Sequence, residues 1–205
     1  MTPRGRRRAA PARRSHAERT AETRAKVMGA VVESIADVGF QRTTAAEITR
    51  RAGVSWGAVQ HHFGDKEGIL DAVLADSFAR FAERLADVDL ERLDLEARVD
   101  VFVDRAWEHF GSPHYRSTFE ILLNHPSGEG DAWRGMLAAW NDVWSRFFPT
   151  PHRTRREVVA LQLYAISLLS GLATARALGG PAARLVGGPL ALLREALVEQ
   201  LAPPS

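Results

Sequence analysis

The 205-residue chain has no cysteine, and only two of its 27 basic residues, Lys26 and Lys66, are lysines. Without cysteine there can be no disulfide, thiolate metal site or cysteine nucleophile, and a reducing compartment is compatible. No P-loop, H-E-x-x-H pair or dinucleotide fingerprint occurs, so the motif-borne forms of nucleotide binding and zinc catalysis have no support. The seven histidines do not make a metal site by spacing. His61 and His62 are adjacent and diverge by about 100° on a helix, while His109, His114 and His125 have no i, i+4 partner. The first 26 residues hold no apolar run, which argues against a secretory signal. Their Arg and Ala content imitates an organellar transit peptide, a reading ranked below a basic arm. Strand-type alternation and internal repeats are also missing, which leaves an all-α reading.

What is present is ordinary globular composition, 45% hydrophobic and 25% charged, with an uneven distribution of charge. Residues 1–66 carry 13 Lys and Arg against 6 Asp and Glu; residues 67–205 carry 14 against 19. A basic head on an acidic body points the head towards a polyanion. Residues 1–16 contain six arginines, two prolines and no acid. They are expected to be a disordered arm that either touches phosphate or acts as a solubilising tail.

Val27, Val31, Ile35 and Val38 form one apolar stripe of a first helix, predicted over 18–38 and ended by Gly39. Thr44 and Glu47 form a T-x-x-E capping box, so a second helix begins at Ala45. Gly53 interrupts it after about two turns and Ser55 can cap a third helix, with Val59 and Phe63 facing inward. Helix, tight glycine turn and helix make a helix-turn-helix, whose second helix can enter a major groove about 12 Å wide. Asp65 can cap the next helix and place Lys66 beside free backbone N–H groups, an arrangement suited to phosphate.

Together Gly39-Phe40, Thr44, Ala52-Gly53-Val54-Ser55, Gly57, His62-Phe63, Asp65-Lys66-Glu67 and Leu70 resemble the N-terminal domain of the TetR/AcrR family of transcriptional regulators, over about residues 18–70. Thr49 stands where that family usually has Ala, and Gln60 where it usually has Tyr. The resemblance implies DNA contact by Thr44, Ser55, Trp56, Gly57, Ala58, Gln60, His61 and Lys66. Gln60 can read an adenine edge or hold phosphate; Trp56 can meet a thymine methyl or sugar, or fold back on the head's own core.

Beyond residue 66 the expected helices are 67–86, 95–110, 113–123, 132–148, 154–178 and 189–201, with a loop at 124–131. Residues 158–175 are free of charge, long enough for a membrane span, but Gln162, Ser167, Ser170, Gly171 and Thr174 dilute them, and a buried interface helix is the better reading. The resemblance implies a homodimer through the last two helices and a small-molecule effector in the body. Trp107, Phe110, Phe119, Trp140, Trp144, Tyr164 and Leu168 are its candidate lining, with His109, Glu120, Asn124 and Gln162 as polar groups. The expected architecture is an all-α chain: a basic arm (1–16), a three-helix helix-turn-helix domain (17–66), and a helical effector-binding and dimerisation domain (67–205). The expected function is a cytoplasmic, non-enzymatic, cofactor-free regulator of operator DNA without membrane attachment, a repressor relieved by its effector or else an activator. The rival is an all-helical enzyme or small-molecule-binding protein with an incidental helix-turn-helix.

Overall fold

A computed structural model of the chain describes residues 15–124, 131–179 and 184–203. Among the described residues there are nine α-helices and no strand. Residues 1–14 of the expected arm and residues 125–130 of the expected loop lie outside them, while Ser15 caps the first helix and His16 opens it.

The head begins with α1 (His16–Val38), two residues earlier than the apolar stripe indicates, because Ser15 and Glu18 form a reciprocal capping box. Gly39, at φ 82°, ends the helix. The α2 helix (Ala45–Ala52) is capped by the Thr44 hydroxyl, which accepts from the Glu47 amide at 3.3 Å. The expected box is only half formed there. The Glu47 carboxylate turns away to Arg50 and Arg51, stronger partners than the Thr44 amide. Gly53 sits in the left-handed region at φ 65°, which makes the tight turn into α3 (Trp56–Phe63).

The α4 helix (Lys66–Ala86) joins head to body. Its Ile69, Leu70, Val73 and Leu74 are buried with Val27, Val31, Ile35, Ile48 and Val59, while Phe81 and Leu85 enter the body's core. The body is built from α5 (Leu95–Phe110), α6 (Pro113–Asn124), α7 (Asp131–Phe147), α8 (Arg155–Leu178) and α9 (Gly187–Leu201). Arg146 of α7 donates to the Leu85 and Ala86 carbonyls, so a cation closes the C-terminus of α4. A second capping box, Thr154 with Glu157, starts α8. The last helix starts at Gly187 and not at Pro189; proline is tolerated in the first turn because no intrahelical N–H bond is needed there.

On α7 the buried face is Met136, Trp140, Val143, Trp144 and Phe147, and Leu137 is exposed. Phe81 stacks on Trp140 with centroids 5.1 Å apart, and the wholly buried Phe102 meets Trp140, Trp144, Phe147 and Phe148 edge-on or tilted at 5.1–5.8 Å. The α8 helix buries only Gln162, Ala165 and Leu169, and leaves Val159, Leu163 and Tyr164 exposed. It is long and apolar enough to cross a membrane by length and composition.

His109 lies in this aromatic core, 5.4 Å from both Phe81 and Tyr115, with its Nε2 unbonded. Burial, and then the nearby His114 and Arg84, push its pKa down from 6.5 to about 4. Between those values the unfolded chain binds the proton and the fold does not. Stability is therefore complete above about pH 6.5 and lost as pH falls towards 4, by on the order of 3 kcal/mol. His109→Phe should flatten this acid limb in denaturant titrations run from pH 7 to pH 4. An unchanged slope would assign the proton uptake to another group.

Candidate nucleic-acid interface and effector cavities

The α3 helix carries the head's outward chemistry. The Ser55 hydroxyl caps it by accepting from the Ala58 amide at 3.3 Å. Val59 is fully buried and Phe63 half-buried, which anchors one face. Gly57, Gln60 and His61 are exposed on the other, Ala58 is half-buried, and Thr44 is exposed at the start of α2. Trp56 is half-buried and packs against the head core, the folded-back arrangement. A Cβ built on Gly57 meets only the Ser55 Oγ, at 4.0 Å, so packing within the chain does not demand glycine there.

Lys66 opens α4, and its Nζ lies 5.1 Å from the centre of the Phe40 ring. The Asp65 carboxylate takes the Gly68 amide at 2.8 Å, so one of the N–H groups expected to face phosphate is already satisfied.

Three features of the head escape a linear reading. Arg24 of α1 donates to the His62 carbonyl at 2.7 Å and covers the Phe63 ring at 4.4 Å, tying down the C-terminal end of α3. Arg51 bridges Asp37 of α1 and Glu47 of α2, each at 2.5 Å. Hydrogen bonds from Arg50 and then Arg51 hold the Glu47 carboxyl down to about 2. Gly68 is the third: a Cβ on it would stand 2.0 Å from the Phe63 carbonyl oxygen, so the approach of α4 to the end of α3 requires glycine. The available signal was a glycine in the first turn of a helix otherwise made of good helix formers.

The candidate lining residues fall in two separate cavities of the body. A cavity of about 590 Å³ between α7 and α8 is lined by Trp140 and Trp144, with Phe148, Val158, Gln162 and Ile166. Another, of about 520 Å³ between α5, α6 and α8, is lined by Phe110 and Phe119, with Tyr115, Arg116, Glu120 and Arg176. Trp107 lies beneath the Arg176 guanidinium at 5.8 Å. Tyr164 and Leu168 line neither: Tyr164 faces solvent and Leu168 packs against the body core. The seven residues do not converge because Phe81 and Phe102 fill the space between α4, α5 and α7. Of the polar candidates, Gln162 bonds Asn141 at 3.3 Å in the first cavity and Glu120 lines the second. His109 is in the core, and Asn124 accepts from Gln41 at 3.3 Å at the junction with the head.

Residues 28–73 match the family model of bacterial regulatory proteins, tetR family. The chain is 38% identical over 87 residues to the HTH-type transcriptional regulator BetI of Escherichia coli and 30% identical over 139 residues to BetI of Cronobacter sakazakii. Those alignments cover 40% and 67% of this chain, and 43% and 59% of the relatives, so the chain spans about half the length of the curated relatives it matches. The N-terminal domain of the chain, over residues 28–73, is of the tetR family. In fold it is similar to a putative tetR family regulator from Shewanella sp. PV-4, with TM-score 0.67 and 18% identity over 89% of this chain and 99% of the other. It is also similar to FadR of Bacillus subtilis, solved in complex with stearoyl-CoA, with TM-score 0.61 and 14% identity over 88% and 99%. The fold of these proteins, a helix-turn-helix head followed by a helical body, extends over most of the chain.

Gly57 and Gly68 make opposite predictions. Gly57→Ala should stabilise the head by about 0.5–1 kcal/mol, through helix propensity, while weakening DNA binding if DNA approaches that surface. Gly68→Ala should destabilise by about 1–3 kcal/mol through overpacking. Thermal melts and mobility shifts on both variants check the pair; equal melting temperatures would contradict the close approach at Gly68.

Proposed function

We propose that the chain is a homodimeric transcriptional regulator that binds operator DNA through its head and a small-molecule effector through its body, acting as a repressor that the effector releases. The observation that carries this reading is α3. Its cap and inner face are fixed by the chain itself, while Gly57, Gln60 and His61 are left outward with no structural task. The basic head, the BetI relatives and the solved neighbour that holds stearoyl-CoA all support it. The rival reading, an all-helical enzyme with an incidental helix-turn-helix, is not favoured by these relatives. A regulator of chromosomal genes works in the cytoplasm, where cysteine-free chemistry is at no disadvantage.

The dimer would form through α8 and α9. Val159, Leu163 and Tyr164 on α8 and Leu192 on α9 are exposed, and a Cβ at Gly171 meets nothing within 4 Å of its own chain. Apolar exposure of this kind marks an association surface in a soluble protein. It accounts for the membrane-like composition of α8 without a membrane. Two heads must then reach major grooves one helical turn apart, about 34–36 Å, or a multiple of it. The effector acts by favouring a head spacing that no longer fits the operator.

The test is a mobility shift on the DNA upstream of the protein's own gene. Gln60→Ala should cost about 1–3 kcal/mol on that DNA and much less on random DNA if Gln60 reads a base, and similar amounts on both if it holds phosphate. Lys66→Ala should weaken binding to all sequences and lower the salt slope by about one unit. Absence of any shift at low salt would defeat the reading. Separately, Leu163→Arg should yield a folded monomer in sedimentation at micromolar concentration, and a dimer unaffected by that charge would move the interface off α8.

A further inference from the structure

Resting on the regulator reading above, we propose that the cavity between α5, α6 and α8 binds a small amphipathic carboxylate, gripped by Arg116 and Arg176, and that Glu120 carries its occupancy to the head. The walls supply the apolar part: Phe110, Tyr115, Phe119 and Leu123 from one side, Ala173 and Ala177 from the other. At about 520 Å³ the cavity falls within the usual range for small-molecule sites.

Charge selects the ligand's head group. The body is rich in acid, and several of its arginines are spent on it: Arg80 on Asp76, Arg84 on Glu108, Arg105 on Asp87, and Arg194 on Asp100 and Asp104; Arg98 and Arg146 are spent on backbone carbonyls. Arg116 and Arg176 have no carboxylate partner among the described residues, although both line one aromatic cavity. The Arg176 guanidinium is seated by its surroundings. It lies over the Trp107 ring, and Gly111 leaves room for it, since a Cβ there would stand 3.1 Å from Arg176 Nη1 and 2.9 Å from the Trp107 carbonyl oxygen. Two guanidinium groups on an apolar wall match the planar, bidentate geometry of a carboxylate. Glu120 is the only acid lining the cavity among the described residues, so the three charged side chains sum to one positive charge, which favours a monoanion over a phosphate dianion.

The same Glu120 is engaged with the head. Its Oε2 accepts the Phe40 backbone amide at 3.2 Å, and the Phe40 ring lies under the Lys66 ammonium that opens α4 just beyond the recognition helix. Arg116 and Glu120 are one turn apart on α6, so an anion placed on Arg116 meets the Glu120 carboxylate as a like charge. The contact with Phe40 is then where occupancy of the cavity reaches the DNA-binding end.

The experiment is calorimetric titration of the full chain with benzoate, hexanoate and decanoate, using decanol and decyltrimethylammonium as neutral and cationic controls. At least one carboxylate should bind about tenfold or more tightly than both controls, and Arg116→Gln and Arg176→Gln should each lose about tenfold. Gly111→Ala should weaken the same ligand by displacing Arg176, with a thermal melt confirming that the variant is folded. Glu120→Ala should keep or improve carboxylate affinity and yet fail to release operator DNA on adding it. No saturable binding by any of the three carboxylates, equal affinity for the controls, or full affinity in the Arg116→Gln, Arg176→Gln double variant would overturn the site. Normal release by Glu120→Ala would overturn the coupling. Operator binding by the ligand-free wild type is measured alongside. Its absence defeats the regulator reading, whereas the titration stands or fails without DNA.

Discussion

One helix belongs to two hydrophobic cores at once. The first turns of α4 bury Ile69, Leu70, Val73 and Leu74 among the head helices, and its last turns bury Phe81 and Leu85 among the aromatic residues of the body. Because the 21 residues between Lys66 and Ala86 are helical, the two cores are joined by a rigid rod about 32 Å long. Neither end can rotate or slide without disturbing close-packed side chains at the other. Arg146 reinforces the body end by holding the terminal carbonyls of α4, and the Asp65 cap fixes the head end.

The α6 helix makes the second connection, with hydrogen bonds added to its packing. Ile121 is fully buried in the head core, the Ser117 hydroxyl donates to the Val32 carbonyl at 2.9 Å, and Glu120 and Asn124 meet the segment just after α1. At its other end the Tyr115 hydroxyl bonds Ser170 of α8 at 2.9 Å. A helix of twelve residues thus touches the head core, a body cavity and the helix that exposes the apolar face. Head and body are therefore tied by two helices that each enter both cores, α4 through apolar packing and α6 through packing plus hydrogen bonds.

Within the head, ion pairs set angles more than they add stability. In the Asp37, Glu47, Arg50 and Arg51 network the outer members Asp37 and Arg50 are exposed, where such contacts contribute little. Its role is geometric, since Arg51 ties the end of α1 to α2 while Arg24 ties α1 to the end of α3. Gly53 and Gly68 supply what side chains cannot, a left-handed turn in one case and a van der Waals approach in the other.

Local chemistry is what the sequence alone determined. The caps at Thr44, Ser55 and Asp65, the break at Gly53 and the inward Val59 and Phe63 all act within a few residues, so their spacing was enough to place the helix-turn-helix and most helix limits. Trp140 and Trp144 were legible as aromatic residues of the body, but the sequence could not tell which aromatic residues line space and which fill it. That depends on Phe81 and Phe102 arriving from other helices, and it divided seven candidate residues among two cavities, a core and an exposed face. Trp56 folded back, Glu47 leaving its capping role for two arginines, and Glu120 reaching an amide 80 residues away were decided in the same way. Each is a competition between a local partner and a distant one, and only the tertiary structure brings the distant partner within hydrogen-bonding or packing range.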